Sequence, residues 1–174
     1  MTKLHIHMIA AVALATSLLA GSPAMAQESA KVLGTFKDWE AHSFKEGGAK
    51  VCNMFSKPAE SEGEYTQRGD VYMFVTNRPA AGVVNEFSIQ IGYSFKAGAP
   101  AYATVGQRKF KLFTQDDFAW LHSDKDQNDM IRAMRGGSTV IVEGFSSRGT
   151  KTKDVFSLSG FTAAHNMIGS TCKP

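Results

Sequence analysis

Apolar and polar residues alternate along most of the chain, in short runs that turn residues separate. The clearest run is residues 86–93, where Phe87, Ile89 and Ile91 are apolar and the two residues between them are polar. A period of two is typical of a β-strand with one face in the core. The same pattern, together with aromatic and β-branched content, predicts the other strands at residues 35–41, 50–56, 70–76, 102–105, 109–113, 118–121, 139–145 and 155–158.

Two segments have a helical period instead. The first begins near Asp126, a residue type favoured at helix N-caps, and ends at Gly136-Gly137. The second lies near the C-terminus, where Phe161, Ala164 and Ile168 share one helical face. Many short strands and two short helices predict an all-β domain with a β-sandwich architecture. Residues 57–69 are predicted as a polar loop and residues 146–153 as a basic turn.

The N-terminal segment has a different character from the rest. Lys3 is followed by an apolar run from Met8 to Ala20 and by the small-residue site Ala24-Met25-Ala26, which is typical of a secretory signal peptide. An uncleaved anchor is the alternative, although the run is shorter than the roughly 20 residues that span a membrane. We therefore predict a signal peptide at residues 1–26, a flexible lead-in at 27–34 and a single β-sandwich domain at 35–174.

The charge balance of the mature chain gives no reason to infer a nucleic-acid partner. The whole sequence has 174 residues and a formal net charge of +3, and removal of residues 1–26 lowers that charge to about +2. Such a chain is not basic enough for its charge to indicate nucleic-acid binding. The sequence predicts no membrane-spanning segment in the mature protein.

The cysteine count points to an oxidising compartment. Cys52 and Cys172 are the two cysteines of the chain, and an exported protein can pair two cysteines without remainder. A metal pair or a reactive thiol is the alternative, but neither cysteine lies in a Cys-x-x-Cys motif or near a histidine at ligand spacing. The sequence predicts a structural disulfide.

Residues with catalytic chemistry are scattered. His42, His122 and His165 lie in three separate predicted elements, so a zinc site would need distant carboxylates. The pair Asp116-Asp117 would point to opposite faces of a strand, which favours a solvated turn over paired carboxylates. The sequence contains no Gly-x-Ser-x-Gly motif, and Gly136-Gly137 ends a helix instead of opening one at a phosphate. No catalytic, cofactor-binding or metal-binding residue is predicted.

Two basic clusters and one set of aromatic residues remain as candidate binding surfaces. The clusters are Arg108-Lys109-Lys111 and the group of Arg148, Lys151 and Lys153. Either could bind an anionic partner, or could simply be the polar side of half-exposed strands and turns. Trp39, Tyr72 and Trp120 could form an aromatic binding surface, although buried aromatic residues in the core are the more common arrangement.

Several segments, in this order, resemble the invasion-associated locus B family of exported alphaproteobacterial proteins. The segments are residues 36–39, 51–52, 56–58, 75–79, 85–86, 110–114, 119–120, 133–137, 144–150 and 157–164, ending at Cys172. The resemblance implies an immunoglobulin-like β-sandwich in the periplasm or at the cell surface. It also implies a link to host-cell invasion, and it brings no catalytic residues. Some members of that family have further cysteines in the first half, which this chain lacks.

From these observations we expect an exported, non-enzymatic binding or structural protein of the bacterial envelope, with no cofactor. Its partner would be a protein or an envelope component, bound at a strand edge, a loop or the basic turn with Arg148, Lys151 and Lys153. Two alternatives stay open. One is an envelope hydrolase whose residues converge only in the fold, and the other is a small-molecule-binding protein with its ligand between the sheets.

Overall fold

The computed structural model describes residues 30–173, which form eleven β-strands, two α-helices and a 3-10 turn at Pro79–Ala81. The strands are β1 (Lys31–Phe36), β2 (Trp39–Glu46), β3 (Ala49–Ser56), β4 (Glu60–Gly63), β5 (Tyr72–Arg78), β6 (Val83–Gln90), β7 (Ala101–Val105), β8 (Arg108–Gln115), β9 (Phe118–Trp120), β10 (Thr139–Phe145) and β11 (Lys151–Ser157). The helices are α1 (Asp124–Gly136) and α2 (Phe161–Thr171).

One continuous antiparallel sheet folds over on itself at β8. The strand order is β1-β2-β3-β5-β6-β9-β8-β7-β10-β11-β4. Residues 108–112 of β8 pair with β7, whereas residues 113–115 pair with β9. We call β1, β2, β3, β5, β6 and β9 the first layer and β7, β10, β11 and β4 the second layer, with β8 shared between them. The arrangement is a β-sandwich.

The alternation along each strand separates the core from the surface. Met73 and Val75 of β5, and Val140 and Val142 of β10, are fully buried, and the residues between them point outward. The side chains that meet between the layers include Phe87, Ile89 and Phe156, all fully buried. Apolar burial of this kind is the main favourable contribution to folding, and it fixes the register because a one-residue slip would turn these side chains to water.

The structure differs from the sequence prediction at three strand boundaries. Strand β1 begins at Lys31, inside the predicted lead-in of residues 27–34, because Lys31, Val32 and Gly34 pair with β2. Strand β4 lies inside the predicted loop 57–69, and its four residues are all exposed. Strand β11 begins at Lys151, so residues 151–153 of the predicted basic turn 146–153 are strand. The predicted signal peptide and residues 27–29 lie outside the described residues.

Helix α2 closes the first layer and is fixed to it covalently. Cys172 caps the C-terminal end of α2 and forms a disulfide with Cys52 of β3, across a sequence separation of 120 residues. At the other end of α2, the ring of Phe161 packs edge-on against Trp39, with centroids 5.1 Å apart. The Trp39 indole donates a hydrogen bond of 3.0 Å to the carbonyl oxygen of Ser157. The predicted pairing of the two cysteines is confirmed.

Helix α1 begins one turn earlier than predicted. Its N-cap is Ser123, whose hydroxyl accepts a hydrogen bond from the amide of Asp126 at 3.2 Å, and Asp126 therefore lies in the first turn. The Gln127 side chain accepts a hydrogen bond of 2.8 Å from the Phe87 amide of β6. Met130 and Met134 are buried in the core. Between residues 30 and 173, neither helix has the length and apolar composition of a membrane span.

Candidate functional site

A cleft of about 960 Å³ opens at one end of the sandwich, between two loops. One wall is the segment of residues 64–69 before β5, and the other is the turn of residues 146–150 between β10 and β11. Polar side chains and backbone groups line most of it. We call this depression the loop cleft. Its volume lies in the range of small-molecule and peptide sites.

A buried ion pair forms the base of the loop cleft. The Arg68 guanidinium donates two hydrogen bonds, of 2.8 and 2.6 Å, to the two carboxylate oxygens of Asp154. The side chain of Asp154 is fully buried and that of Arg68 is only 6% exposed. Arg68 also donates from Nε to the carbonyl oxygen of Ile91, and Ser61 donates to Asp154. A carboxylate buried this completely needs such partners, because an isolated one would be strongly destabilising.

Two tyrosine rings flank the Arg68 guanidinium. Its central carbon lies 5.4 Å from the centroid of Tyr65 and 5.1 Å from that of Tyr93, which is cation–π distance. The hydroxyls of Tyr93 and Thr152 are hydrogen-bonded at 2.7 Å. Burial raises the pKa of Tyr93 above its ordinary value, against the lowering effects of Thr152 and Arg68, so its hydroxyl stays protonated. The ring stack and the ion pair together hold the first wall of the cleft in place.

A close approach of two backbone segments completes this wall. The amide of Gly69 donates a hydrogen bond of 2.9 Å to the carbonyl oxygen of Gly92. Gly92 has a φ of +75°, and a Cβ built there would lie 2.4 Å from the carbonyl oxygen of Gly69. A larger residue at position 92 would therefore push the segment with Arg68 away from the sheet.

The second wall is a tight turn that presents Arg148. The Ser146 amide donates to the carbonyl oxygen of Thr150, and the Gly149 amide donates to that of Ser146. The Ser147 amide donates to the carbonyl oxygen of Ser94 at 2.7 Å, which joins the turn to the neighbouring loop. Arg148 is exposed at the cleft rim. The turn thus holds a cation at the mouth of a polar depression.

The other two members of this predicted basic group are on strand β11, where each has a carboxylate partner. Lys151 lies 2.8 Å from Glu143 of β10, and Lys153 lies 2.8 Å from Glu62 of β4. Lys151 borders the outside of the turn, whereas Lys153 faces outward from the second layer. Of the three residues predicted together, Arg148 is therefore the one placed to meet a ligand in the loop cleft.

The family of this chain follows from a match to one family model. The model of the invasion associated locus B (IalB) protein family matches residues 39–169, which is most of the chain and nearly all of the described sandwich. The chain belongs to the IalB family. No curated protein matches it.

One solved structure has the same fold. It is the crystal structure of invasion associated protein B from Bartonella henselae, with a TM-score of 0.58 and 17% sequence identity. The match covers 79% of this chain and 95% of that chain. At this identity the similarity establishes the fold, so the predicted all-β sandwich with two short helices is confirmed. The IalB family is exported, and the disulfide agrees with a location outside the cytoplasm.

Two residues of the other predicted basic cluster of this IalB family member are also paired. Arg108 lies 3.6 Å from Asp129 of α1, and Lys109 lies 4.0 Å from Glu143 and 4.1 Å from the Tyr102 ring centroid. Lys111 is exposed on the same strand. The two clusters therefore share Glu143, which stands between them on β10.

The three histidines do not converge. His42 contacts the carboxylate of Glu40, and the His122 ring packs on Phe113 at 4.9 Å between centroids. His165 of α2 is a buried structural residue, as described below. The pair Asp116-Asp117 forms the turn between β8 and β9. In the described part of the chain, no group of three or more His, Cys, Asp and Glu residues is arranged to hold a metal ion.

His165 belongs to a polar network that joins α1, α2 and β6. Arg135 donates to Nδ1 of His165 at 2.7 Å, so Nε2 carries the proton and donates to Asn85 at 2.8 Å. Burial, together with the nearby positive charge of Arg135, lowers the pKa of His165 to about 4. The ring is therefore neutral near pH 7 and stabilises the packing of α2.

The predicted aromatic set is divided between the core and the surface. Trp39 is buried inside the sandwich under α2, whereas Tyr72 and Trp120 lie on the outer side of the first layer. Sequence reasoning missed the residues of the loop cleft other than Arg148, because Arg68 and Asp154 are 86 positions apart and neither belongs to a motif. The sequence offers one signal for the cleft, the glycines at positions 69 and 92. Nothing in the sequence shows that these two glycines meet in the fold.

Proposed function

We propose that this protein is an exported, non-enzymatic binding protein of the bacterial envelope, and that the loop cleft is its binding site. The observation that carries the proposal is the position of Arg148, an exposed cation on a hydrogen-bonded turn at the mouth of a preformed polar cleft. The partner binds through an acidic group at Arg148. It is a protein or an envelope component.

The structure of the cleft favours ligand binding over catalysis. Its most buried charged groups, Arg68 and Asp154, already satisfy each other through two hydrogen bonds. Neither is free to transfer a proton to a ligand or to act as a nucleophile. Their role is to hold the wall rigid, and a rigid wall lowers the entropy lost when a partner binds.

Crosslinking in the producing cells tests the proposal. The Arg148→Glu variant should lower the yield of crosslinked envelope adduct at least about fivefold, because it places like charge against the acidic partner. Arg132→Glu is the matched control, since Arg132 is an exposed arginine on α1, away from the cleft. Adduct formed by the native protein should decrease with added salt.

Lys151→Glu and Lys153→Glu extend the test. Each removes a lysine that already has a carboxylate partner, so the expected loss of adduct is smaller than for Arg148→Glu. An adduct yield that is equal in Arg148→Glu and in the native protein contradicts the proposal.

A further inference from the structure

The outer side of the first layer carries six aromatic rings that neither helix covers. Both helices pack on the inner side, where Phe161, Ala164 and Met130 join the core. The outward positions of four strands carry rings instead. These rings, which we call the aromatic face, are Phe55, Tyr72, Phe74, Phe113, Phe118 and Trp120.

The rings contact one another in two groups of three. Phe55 lies 5.7 Å from Tyr72 and 6.2 Å from Phe74, measured between centroids. On the other side, Trp120 lies 5.5 Å from both Phe113 and Phe118. Phe113 is 39% exposed, and the other five rings are half-buried. Two neighbouring groups of partly exposed rings on one side of a sheet mark an interaction site.

The register places the two groups symmetrically about strand β6. In one row, Ser88 of β6 has Phe74 on one side and Trp120 on the other. Phe55 pairs with Phe74, and Phe113 pairs with Trp120, so this row carries two rings on each side of Ser88.

The next row repeats the arrangement with one ring on each side. Gln90 of β6 pairs with Tyr72 on one side and with Phe118 on the other. The aromatic face therefore has the same pattern of rings to the left and to the right of β6.

Such a pattern is complementary to itself. If a second copy is rotated by 180° about an axis parallel to β6 and laid face to face, its β5 and β3 lie over β9 and β8 of the first. Trp120 then lies over the partner's Phe74, Phe113 over the partner's Phe55, and Phe118 over the partner's Tyr72. The strands of the two sheets stay aligned, which is a common packing for stacked sheets.

The charges beside the rings agree with this arrangement. Lys111 lies two residues before Phe113 on β8, where the strand pairs with β7, and Glu40 pairs with Phe55 on the opposite side of the face. The rotation brings Lys111 of each copy diagonally beside Glu40 of the other. At the axis, the carboxylate of Glu86 accepts a hydrogen bond of 2.6 Å from Arg78 of its own chain, so the two copies of Glu86 meet as neutralised pairs.

We propose that the aromatic face is the interface of a symmetric dimer, with a second copy of this chain as its occupant. A two-fold interface uses the same patch on both subunits, as the mirrored rings require. The loop cleft has no part in it, so the proposal stands independently of the proposed function.

Sedimentation equilibrium of the mature, oxidised chain tests the dimer. We expect a monomer–dimer equilibrium, and we expect Phe113→Ser to weaken the dimer at least about tenfold because the substitution acts twice in a two-fold interface. Tyr65→Ser is the matched control, since Tyr65 is also 39% exposed but lies at the loop cleft. A circular dichroism melt confirms that each variant is folded.

Introduced cysteines test the register of the two copies. Gln90→Cys lies on the axis, so two copies should crosslink with each other under mild oxidation. Phe113→Cys should not crosslink with itself, because two copies of this position stand about 19 Å apart across four strand spacings. A mixture of Phe113→Cys and Phe55→Cys chains should crosslink.

A chain that stays monomeric at all concentrations overturns the proposal. It is equally overturned if Phe113→Cys crosslinks with itself while Gln90→Cys does not, which would show another packing. If Phe113→Ser alters the binding of a glycan or of lipid vesicles to a monomeric chain, the face has a different occupant and the dimer is again refuted.

Discussion

The outer sides of the two layers face water at equivalent positions, yet they are built differently. The first layer presents the aromatic face, whose rings contact one another and the side chains of His42, Lys57 and His122, and stay partly exposed. The second layer presents a charged face, in which Glu143 lies between Lys109 and Lys151, and Glu62 pairs with Lys153. The charged face satisfies its groups within the layer. The aromatic face does not, and this difference is why we assign the association surface to the first layer.

The second layer also shows why basic clusters in the sequence need not form a basic surface. The sequence has two basic clusters, but their carboxylate partners are on other elements, Asp129 on α1, Glu143 on β10 and Glu62 on β4. A hydrogen bond from Lys151 lowers the pKa of Glu143 below its ordinary value, which keeps it charged between the lysines. The second layer is thus a solvated surface with alternating charges, and Arg148 beyond its end is an exposed cation at the mouth of the loop cleft.

The largest expected effect is the loss of stability when a buried charge of the second layer is removed, compared with the loss when a surface charge is removed. Asp154→Ala should lower the free energy of unfolding by about 3–5 kcal/mol, because it leaves the buried Arg68 guanidinium unpaired. Lys153→Ala, on the charged face, should have a much smaller effect, because water screens its exposed ion pair. Urea unfolding of the oxidised protein measures both.

The double variant Arg68→Met/Asp154→Leu sharpens this result. It replaces the ion pair with apolar side chains and should recover most of the stability that Asp154→Ala loses. A loss below about 1 kcal/mol for Asp154→Ala would mean that the pair is not buried as described.

The first layer depends on a covalent link instead. The Cys52→Ala/Cys172→Ala variant should lose about 2–4 kcal/mol of unfolding free energy, because the disulfide limits the freedom of the unfolded chain. Thiol reduction of the native protein serves as the control and should give a similar loss. Labelling of both cysteines in denatured, unreduced protein would contradict the disulfide.

The packing of α2 on the first layer should depend on pH through His165. The pKa of about 4 in the folded protein lies below the usual 6.5, so the unfolded chain binds the proton more tightly. The free energy of unfolding is therefore greatest above pH 6.5, and it should fall by about 2–3 kcal/mol as the pH decreases towards 4.

His165→Gln removes this titration and should give a flatter pH profile than the native protein. His122→Gln is the control, because its ring lies at the surface, and it should keep the native slope. Equal slopes for the native protein and His165→Gln would show that protonation of His165 does not control the stability.

The smallest expected effect concerns the charged face. Glu143→Gln should lower the unfolding free energy by about 0.5–1 kcal/mol at low salt, since it leaves Lys109 and Lys151 without their shared carboxylate. The difference should decrease as salt is added, because the pairs are exposed. A loss that is independent of salt would indicate a packing effect instead.

The sequence predicted the features that depend on local pattern. The alternating valines of residues 139–145 match strand β10 residue for residue, and the cysteine count predicted the disulfide. It missed β4, because Glu-Ser-Glu-Gly has no apolar side and is recognisable only by its pairing with β11. It assigned Lys151 and Lys153 to a turn, because Thr152 and Asp154, the buried residues between and after them, are polar.

The candidate site could be predicted only in part, for the same physical reason. Arg148 was identified from charge alone, but Arg68, Tyr93 and Asp154 come together from three separate elements. Pairing over such distances depends on how the layers fold over at β8. The symmetry of the aromatic face also depends on register, which the pairing of five separate strands defines.

The most direct test compares the two outer sides in one experiment. Hydroxyl-radical footprinting measures side-chain oxidation rates as the concentration of the mature protein is raised. Oxidation of Phe113, Trp120 and Tyr72 should slow as copies associate, while that of Tyr102 and Phe145 on the second layer should stay constant. Equal protection of both sides, or protection of neither, would contradict the assignment of the association surface to the aromatic face.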